Sequence, residues 1–280
     1  MGRSVKVAKT PGFPGKVLEK NSGDPVDMEI FRSFIGKLMY YSTKVGPDIS
    51  NATREMAQHM SNPNEEHWKA LERIVSYLKG KSVYGIILRK PKNFLSVSYT
   101  DSNYATDKET RRSVSSRINT IGGMLSGWAS RTQHSVTLSS TEAEYVALSE
   151  CVQETLFTQM LIKEVIGFEG KATIYCDNQG AIFLVKNRQV GMRTKHIDVR
   201  AHFIRDLIDN GKLRVIWVPT DENCSDVLNK NCTEKLCEVH HDTILNGKIN
   251  TQRENVEIAR LMTYVDYVLC DDFSISHKRE

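Results

Sequence analysis

The order of segments between residues 94 and 230 constrains the fold more than any other feature of this 280-residue chain. Alternating apolar and small polar residues predict a strand over 94–101, and two further strands follow in "SSRINTIG" and "MLSGWAS", joined at Gly122-Gly123. Helical and strand patterns then alternate: helices over about 140–166, 178–186 and 195–209, strands over 172–177 and 212–218, and a final helix beginning near Asn223. A three-stranded meander followed by this alternation predicts an α/β fold, with helices flanking a mixed sheet.

The first 93 residues have a different pattern. Residues 1–26 are rich in Lys, Gly and Pro without periodicity, which predicts a flexible lead-in. Apolar positions at helical spacing then predict three short helices, in "MEIFRSFIGKLMYYSTKV", "ISNATREMAQHM" and "HWKALERIVSYLKG", and "YGIILRK" reads as a short strand. We therefore divide the chain into a lead-in (1–26), a helical segment (27–92), the α/β domain (93–230) and a C-terminal tail of uncertain order (231–280).

Composition favours an intracellular globular protein. Hydrophobic residues make up 40% of the chain and charged residues 26%, without an apolar run long enough to span a membrane. The first residues lack the apolar core of a signal peptide, and the six cysteines form no compact framework. We therefore expect free thiols in a reducing compartment, either the cytoplasm or the nucleus.

The distribution of charge favours a polyanionic partner. Lys and Arg outnumber Asp and Glu by 16 to 9 in residues 1–93, whereas both groups number 16 in residues 94–230. Within the second region, "NRQVGMRTKHIDVR" gathers Arg193, Lys195 and other cations at the start of a predicted helix. Cations beside helical amides suit phosphate groups, and a solvated basic loop is the alternative.

Two of the predicted strands end on an aspartate, in "YTDSNYA" at Asp101 and in "YCDNQGAI" at Asp177. Singly, each is read as a turn former or helix cap. Because both strands belong to the same predicted sheet, the two carboxylates could also belong to one site that requires further acidic partners.

The long predicted helix offers two glutamates as partners. Glu142 follows Ser139 by three residues, which predicts a capping box and a structural role. Glu144 is in phase with Leu148 and Val152, so we expect it near the sheet, where a carboxylate is costly unless paired or bound to metal.

Asp226, in "VPTDENCSDVLNK", is the fourth candidate, and an interaction with the dipole of the last helix is its structural alternative. An ordered set of four carboxylates suits two hard divalent ions and phosphodiester cleavage.

The strings "YTDSNYA", "SSTEAEYVALSE", "YCDNQGAI", "RTKHIDVRAHFIRD" and "VPTDENCSDVLNK" resemble the ribonuclease H domain at the end of copia-type retrotransposon Pol polyproteins. The helical segment is similar to the part that joins a reverse transcriptase to that domain. The resemblance covers roughly residues 28–230. It implies a ribonuclease H-like fold with a five-stranded mixed sheet and cleavage of the RNA strand of RNA–DNA hybrids. It also implies two Mg²⁺ ions, for which Mn²⁺ is a substitute.

Matched motif by motif, the resemblance assigns catalysis and metal binding to Asp101, Glu144, Asp177 and Asp226. We expect substrate contacts from residues near them, namely Asn178, Gln179, Arg193, Lys195 and His196. The sequence departs from the family pattern in two places. Asn103 and Tyr104 stand where many members have a second acid and a Trp, and the loop before Asp226 lacks the His that cellular ribonucleases H often carry.

Two other interpretations stay open. The domain could be a non-catalytic module that binds nucleic acid or a partner, or it could be an inactive transposon remnant. The expected partners of the enzyme are an RNA–DNA hybrid and a reverse transcriptase polymerase domain, in the cytoplasm within a virus-like particle or in the nucleus, and no membrane.

Overall fold

The computed structural model describes residues 7–19, 23–81, 85–86, 88, 90–91, 93–187 and 195–245, with the side chains of 195–199, 201 and 241–245 left undescribed. The chain divides into two compact units. One, here called the helical unit, comprises Met1–Ile87 and Asn231–Glu280, and the other, the sheet unit, comprises Leu88–Lys230. No helix among the described residues has the length and apolar character needed to cross a bilayer.

The helices and strands follow the predicted order closely. The helices are α1 (Met28–Lys44), α2 (Ser50–Ala57), α3 (Glu65–Gly80), α4 (Ser140–Ile166), α5 (Gln179–Lys186), α6 (Lys195–Asp209) and α7 (Glu234–Leu245). The strands are β1 (Ser96–Asn103), β2 (Val114–Ile121), β3 (Met124–Thr132), β4 (Ala172–Cys176) and β5 (Leu213–Trp217). Short 3₁₀ helices occupy Pro47–Ile49, Thr220–Glu222 and Cys224–Leu228.

In the helical unit, apolar faces of α1, α2 and α3 form one core that includes Phe31, Ile35 and Leu71, all fully buried. Part of the segment expected to be a flexible lead-in packs on this core. Leu18 is buried, and Arg73 donates hydrogen bonds to the Gly12 carbonyl and to Thr10 Oγ1. The reason is that Arg73 supplies the polar partners of a backbone segment that has no regular structure of its own.

The helix α7 lies in the region expected to be a tail of uncertain order, and it belongs to the helical unit. The chain leading to it is held by Asn231, whose amide contacts Asn51 and Glu55 of α2. The strand predicted in "YGIILRK" is not seen at the described positions 85–86, 88 and 90, and positions 84, 87 and 89 lie outside the described residues.

The sheet unit contains the predicted five-stranded mixed sheet, in the order β3-β2-β1-β4-β5. Strands β1, β2 and β3 form an antiparallel meander, and β4 and β5 continue the sheet in parallel with β1. The hairpin between β2 and β3 turns on Gly122 and Gly123, whose φ angles are 57° and 84°. A side chain at Gly122 would also collide with the Asn93 carbonyl, so glycine is required there. The ribonuclease H-like fold expected from the sequence is confirmed.

Helix α4 covers the centre of this sheet. Tyr145, Leu148 and Val152 of α4 are fully buried in one core with Ile174 and Cys176 of β4. Burial of such side chains stabilises a fold by about 1.5–3 kcal/mol each, so this layer fixes α4 against β1 and β4. The first two turns of α4 are thereby held at the end of β1 where Asp101 lies.

The prediction for the last helix of the sheet unit is wrong about the type of helix. The segment Cys224–Leu228 is a short 3₁₀ helix rather than an α-helix that begins near Asn223. The Asn223 side chain accepts hydrogen bonds from the Ser225 amide and hydroxyl, and it donates to the Thr100 carbonyl of β1. Such local side-chain bonds compete with α-helical bonding, and here they attach the segment to the sheet.

Candidate active site

Asp101 and Asp177 lie side by side at one edge of the sheet. The parallel register pairs Thr100 of β1 with Cys176 of β4, so the next residues, Asp101 and Asp177, are level with each other. Asp101 is only 2% exposed. The Thr220 hydroxyl donates to Asp177 Oδ2 at 2.8 Å. Burial raises the pKa of Asp177, and the negative charge of Asp101 raises it further.

Glu144 extends from α4 to the same place. Its Oε1 accepts a hydrogen bond of 3.2 Å from the Ser102 amide, and its buried Oε2 accepts none from the described residues. Burial, followed by the charges of Asp101 and Asp177, raises the pKa of Glu144 to about 9. A second carboxylate oxygen without a hydrogen-bond donor, in a buried acidic cluster, is the arrangement expected of a cation ligand.

Glu142 occupies a different position. Its backbone amide donates a hydrogen bond to Ser139 Oγ at 3.1 Å, and its Oε2 accepts a hydrogen bond from the Leu138 amide at 2.7 Å. In the predicted capping box, the Glu142 carboxylate accepts from the Ser139 amide. In the structure it accepts instead from the amide of the preceding residue, Leu138. The Glu142 carboxylate therefore serves as the hydrogen-bond acceptor of a backbone amide at the start of α4.

Asp226 completes the cluster from the 3₁₀ helix Cys224–Leu228, and it is 5% exposed. Burial raises the pKa of Asp101; the ammonium of Lys230 opposes this rise, and a hydrogen bond with Asp226 adds to it. Asn229 Nδ2 also donates to Asp101 Oδ2, at 2.9 Å. Asp226 therefore lies close enough to Asp101 to raise its pKa.

The ligand set of the cluster fits hard divalent cations. Ligand atoms of Glu144, Cys176 and Asp177 lie within 4.8 Å of one another. Mg²⁺ and Mn²⁺ prefer carboxylate oxygens to sulfur, and burial raises the pKa of Cys176 well above its usual value, so its thiol stays protonated. Glu144 and Asp177 therefore offer carboxylate oxygens to a cation in this group. Asp101, whose charge raises the pKa of both, lies beside them, and Asp226 lies beside Asp101.

The residues expected to contact substrate are only partly described. Asn178 caps α5, because its Oδ1 accepts a hydrogen bond from the Ala181 amide at 2.9 Å. Gln179 is exposed in the first turn of α5, two residues from Asp177. Arg193 lies outside the described residues, and the side chains of Lys195 and His196, the first two residues of α6, also lie outside them.

Three polar residues near Asp226 were not recognised in the sequence as parts of the site. Asn223 is fully buried, Asn229 is 1% exposed, and Lys230 Nζ contacts Asp226 Oδ1. The available signal was the density of polar residues in "NCSDVLNK", a stretch too short to bury them without specific partners. These residues hold the fourth carboxylate in place and supply its countercharge.

The sheet unit has the strand order β3-β2-β1-β4-β5 and buried carboxylates where its central strands end. These two features place it in the class of ribonuclease H-like domains. A tobacco relative, the "Retrovirus-related Pol polyprotein from transposon TNT 1-94", is 36% identical over 200 residues, which cover 71% of this chain and 15% of that protein. The polyprotein from transposon RE1 of Arabidopsis thaliana is 36% identical over 229 residues, covering 81% of this chain and 16% of that protein. The chain belongs to the copia-type retrovirus-related Pol polyproteins and spans about a sixth of the length of these relatives.

No family model matches the chain. Among solved structures, it is similar to LC11-RNase H1, isolated from compost by a metagenomic approach. The two share 16% sequence identity with a TM-score of 0.37, over 48% of this chain and 91% of that one.

Proposed function

We propose that the sheet unit is a divalent-metal-dependent endonuclease that cleaves the RNA strand of RNA–DNA hybrids. The observation that carries this proposal is the meeting of four carboxylates, from β1, α4, the end of β4 and the 3₁₀ helix Cys224–Leu228, at one edge of the sheet. Each comes from a different element, so local capping or turn formation does not account for the set. Buried negative charge of this kind is costly, which favours the binding of cations from solution.

The residues of the site would have two kinds of role, metal binding and the orientation of the metal ligands. Asp101, Glu144, Asp177 and Asp226 would hold Mg²⁺ or Mn²⁺, which would activate a water nucleophile and stabilise the leaving oxygen. The Ser102 amide fixes one Glu144 oxygen, and the Thr220 hydroxyl fixes one Asp177 oxygen, so both carboxylates are oriented before any ligand arrives. Orientation of this kind lowers the cost of assembling the site.

Selectivity for a hybrid would come from outside the acidic cluster. A hybrid differs from double-stranded DNA by the 2′-hydroxyls of one strand, which polar side chains beside the cluster can recognise. Gln179 is exposed close to Asp177 and is suited to such a contact. We further propose that a reverse transcriptase polymerase domain is the natural partner, as the membership of the Pol polyprotein family suggests.

The test is a cleavage assay on the full chain with a hybrid whose RNA strand is labelled, in Mg²⁺, in Mn²⁺ and in chelator. We expect cleavage of the RNA strand in both metals, none in chelator, and none of double-stranded DNA of the same sequence. Binding of the hybrid without cleavage at any concentration of either metal would instead indicate a non-catalytic binding module. Equal cleavage in chelator would refute the metal-dependent mechanism.

A further inference from the structure

We infer that Lys230 is a resident counter-cation of the acidic cluster: its ammonium offsets part of the negative charge of the cluster in the metal-free protein and must withdraw before divalent ions bind. The inference rests on the proposed function, because it concerns the same four carboxylates. It assigns to Lys230 a role in setting metal affinity, distinct from contact with the reacting atoms.

The first support is the position of the ammonium group. Lys230 Nζ contacts Asp226 Oδ1 and lies 3.3 Å from Asp101 Oδ2, so it bridges carboxylates from two different elements. Both partners are nearly inaccessible, with 2% and 7% of their side chains exposed. A lysine that bridges two buried acids is unlike the surface pairs of this chain, such as Lys163 with Glu169, in which both side chains are more than half exposed.

The second support is the cost of the cluster without a cation. Two carboxylates that share one ammonium within a buried site repel each other and lose hydration, which makes their joint ionisation unfavourable. Asn229 supplies one neutral donor to Asp101, which reduces this cost only in part. The ammonium of Lys230 provides the positive charge that lets Asp101 and Asp226 stay together in the folded protein.

The third support is that Lys230 and a divalent ion need the same oxygens. A bound Mg²⁺ ion requires carboxylate oxygens at about 2.0–2.1 Å, and a positive charge already at those oxygens opposes its approach. The Lys230 side chain is 36% exposed and has a flexible four-carbon stem, so it has a path from the cluster to solvent. Binding of metal therefore includes the work of displacing the lysine.

The experiment compares three variants of the full chain with the wild type, without nucleic acid. K230Q removes the charge from the cluster, K230R keeps it, and K163Q removes a surface ammonium from the other end of α4 as the matched control. Two quantities are measured for each: the melting temperature in chelator, and the affinities for Mg²⁺ and Mn²⁺ by titration calorimetry.

We expect K230Q to melt at a lower temperature than the wild type in chelator and to bind both metals at least about tenfold more tightly, since the competing charge is gone. K230R and K163Q should stay within about threefold of the wild-type metal affinity, because neither removes positive charge from the cluster. If K230Q is unfolded in chelator, Mg²⁺ or Mn²⁺ should restore its fold, because the ion replaces the missing charge.

The inference is overturned if K230Q binds metal as the wild type does or more weakly, or if neither metal restores an unfolded K230Q. Where the wild type binds metal and cleaves hybrid in these cases, only the role of Lys230 is refuted. A wild type and a K230Q variant that both fail to bind either metal would refute this inference and the proposed metal-dependent function together.

Discussion

Glu144 Oε1 accepts a hydrogen bond of 3.2 Å from the amide of Ser102, and this contact ties the second turn of α4 to the end of β1. Because Ser102 follows Asp101 directly, the bond brings a helical carboxylate and a strand carboxylate into one cluster. It also fixes one oxygen of Glu144 and leaves Oε2 without a described donor. The two glutamates of the first two turns of α4 thus have separate roles, which can be tested by the same substitution at each position.

Glu144→Gln should abolish hybrid cleavage while leaving the fold intact. Glutamine has nearly the same shape and can still accept from the Ser102 amide, but it removes one negative charge from the metal site. Changes to residues that merely support a metal ligand cost about 10–100-fold, so loss of a ligand should lower the rate by at least about 100-fold. The measurement is the initial rate of RNA-strand cleavage at saturating Mg²⁺.

Glu142→Gln is the matched control, since the amide oxygen can still accept from the Leu138 amide and cap α4. Its cleavage rate should remain within about threefold of the wild type, because Glu142 lies outside the cluster. Equal losses in the two variants, or a larger loss in Glu142→Gln, would show that Glu142 is the metal ligand.

Asn223→Ala should destabilise the sheet unit by about 1–3 kcal/mol, because it leaves the buried Thr100 carbonyl and the Ser225 hydroxyl without their partner. The measurement is the free energy of unfolding in urea, followed by circular dichroism. Asn210→Ala is the control: Asn210 is exposed after α6, and its replacement should cost less than about 0.5 kcal/mol. Similar losses in both variants would mean that Asn223 does not attach the 3₁₀ helix to β1.

The sheet could be predicted from the sequence because its pattern is local. Alternation along "NFLSVSYTD" and the glycine pair at Gly122-Gly123 depend on strand geometry and turn sterics alone, and the structure has a strand and a turn at those places. The 3₁₀ helix Cys224–Leu228 could not be predicted in this way. Its form depends on the bond between Asn223 and Thr100, residues more than a hundred positions apart in the chain.

The same limit applies to the site. The phase of Glu144 on a helix and the position of Asp177 after a strand are visible in the sequence, because each depends on one element. The contact of Lys230 with Asp101 is not visible, because it joins the end of the sheet unit to its first strand. A lysine four residues after an aspartate is usually read as a surface pair, and only the packing of the segment on β1 buries the aspartate.

The capping of α3 gives a prediction of pH dependence in the helical unit. The Asn64 amide donates to His67 Nδ1, and Asn64 Oδ1 accepts from the His67 amide, both at 3.1 Å. His67 Nε2 faces the Glu19 carbonyl at 3.1 Å, so the ring is a neutral imidazole that accepts at Nδ1 and donates at Nε2. Burial lowers the pKa of His67 below its usual 6.5, and this effect exceeds those of the Glu19 carbonyl and the Glu66 charge, which raise it.

The folded protein therefore binds fewer protons at position 67 than the unfolded chain, and the stability from His67 is present above pH 6.5 and lost as pH falls through the lower, folded pKa. The loss between the two values is at most about 1.4 kcal/mol per pH unit, the limit for one titrating proton. His67→Gln keeps an acceptor for the Asn64 amide and cannot titrate, while the neighbouring His59, stacked on the ring, is unchanged. The free energy of unfolding from pH 7.5 to 5 should therefore fall less in His67→Gln than in the wild type. Parallel curves would exclude His67 as the titrating group.

Asp177→Asn separates cleavage from binding of the hybrid. Asparagine keeps the size of the side chain and can still accept from the Thr220 hydroxyl, but it removes a negative charge from the metal site. Cleavage should be lost, because the ions lose a charged ligand. The dissociation constant for the hybrid should stay within about threefold of the wild type or decrease, because one charge that repels phosphates is gone.

Thr220→Val tests the orientation of Asp177 without changing the charge, and it should lower cleavage by about 10–100-fold, as is typical for a residue that orients a ligand. Hybrid binding, measured by fluorescence anisotropy in chelator and in Ca²⁺, distinguishes the outcomes. A variant Asp177→Asn that neither cleaves nor binds would place Asp177 in the hybrid-binding surface or in the fold, and would remove it from the set of dedicated metal ligands.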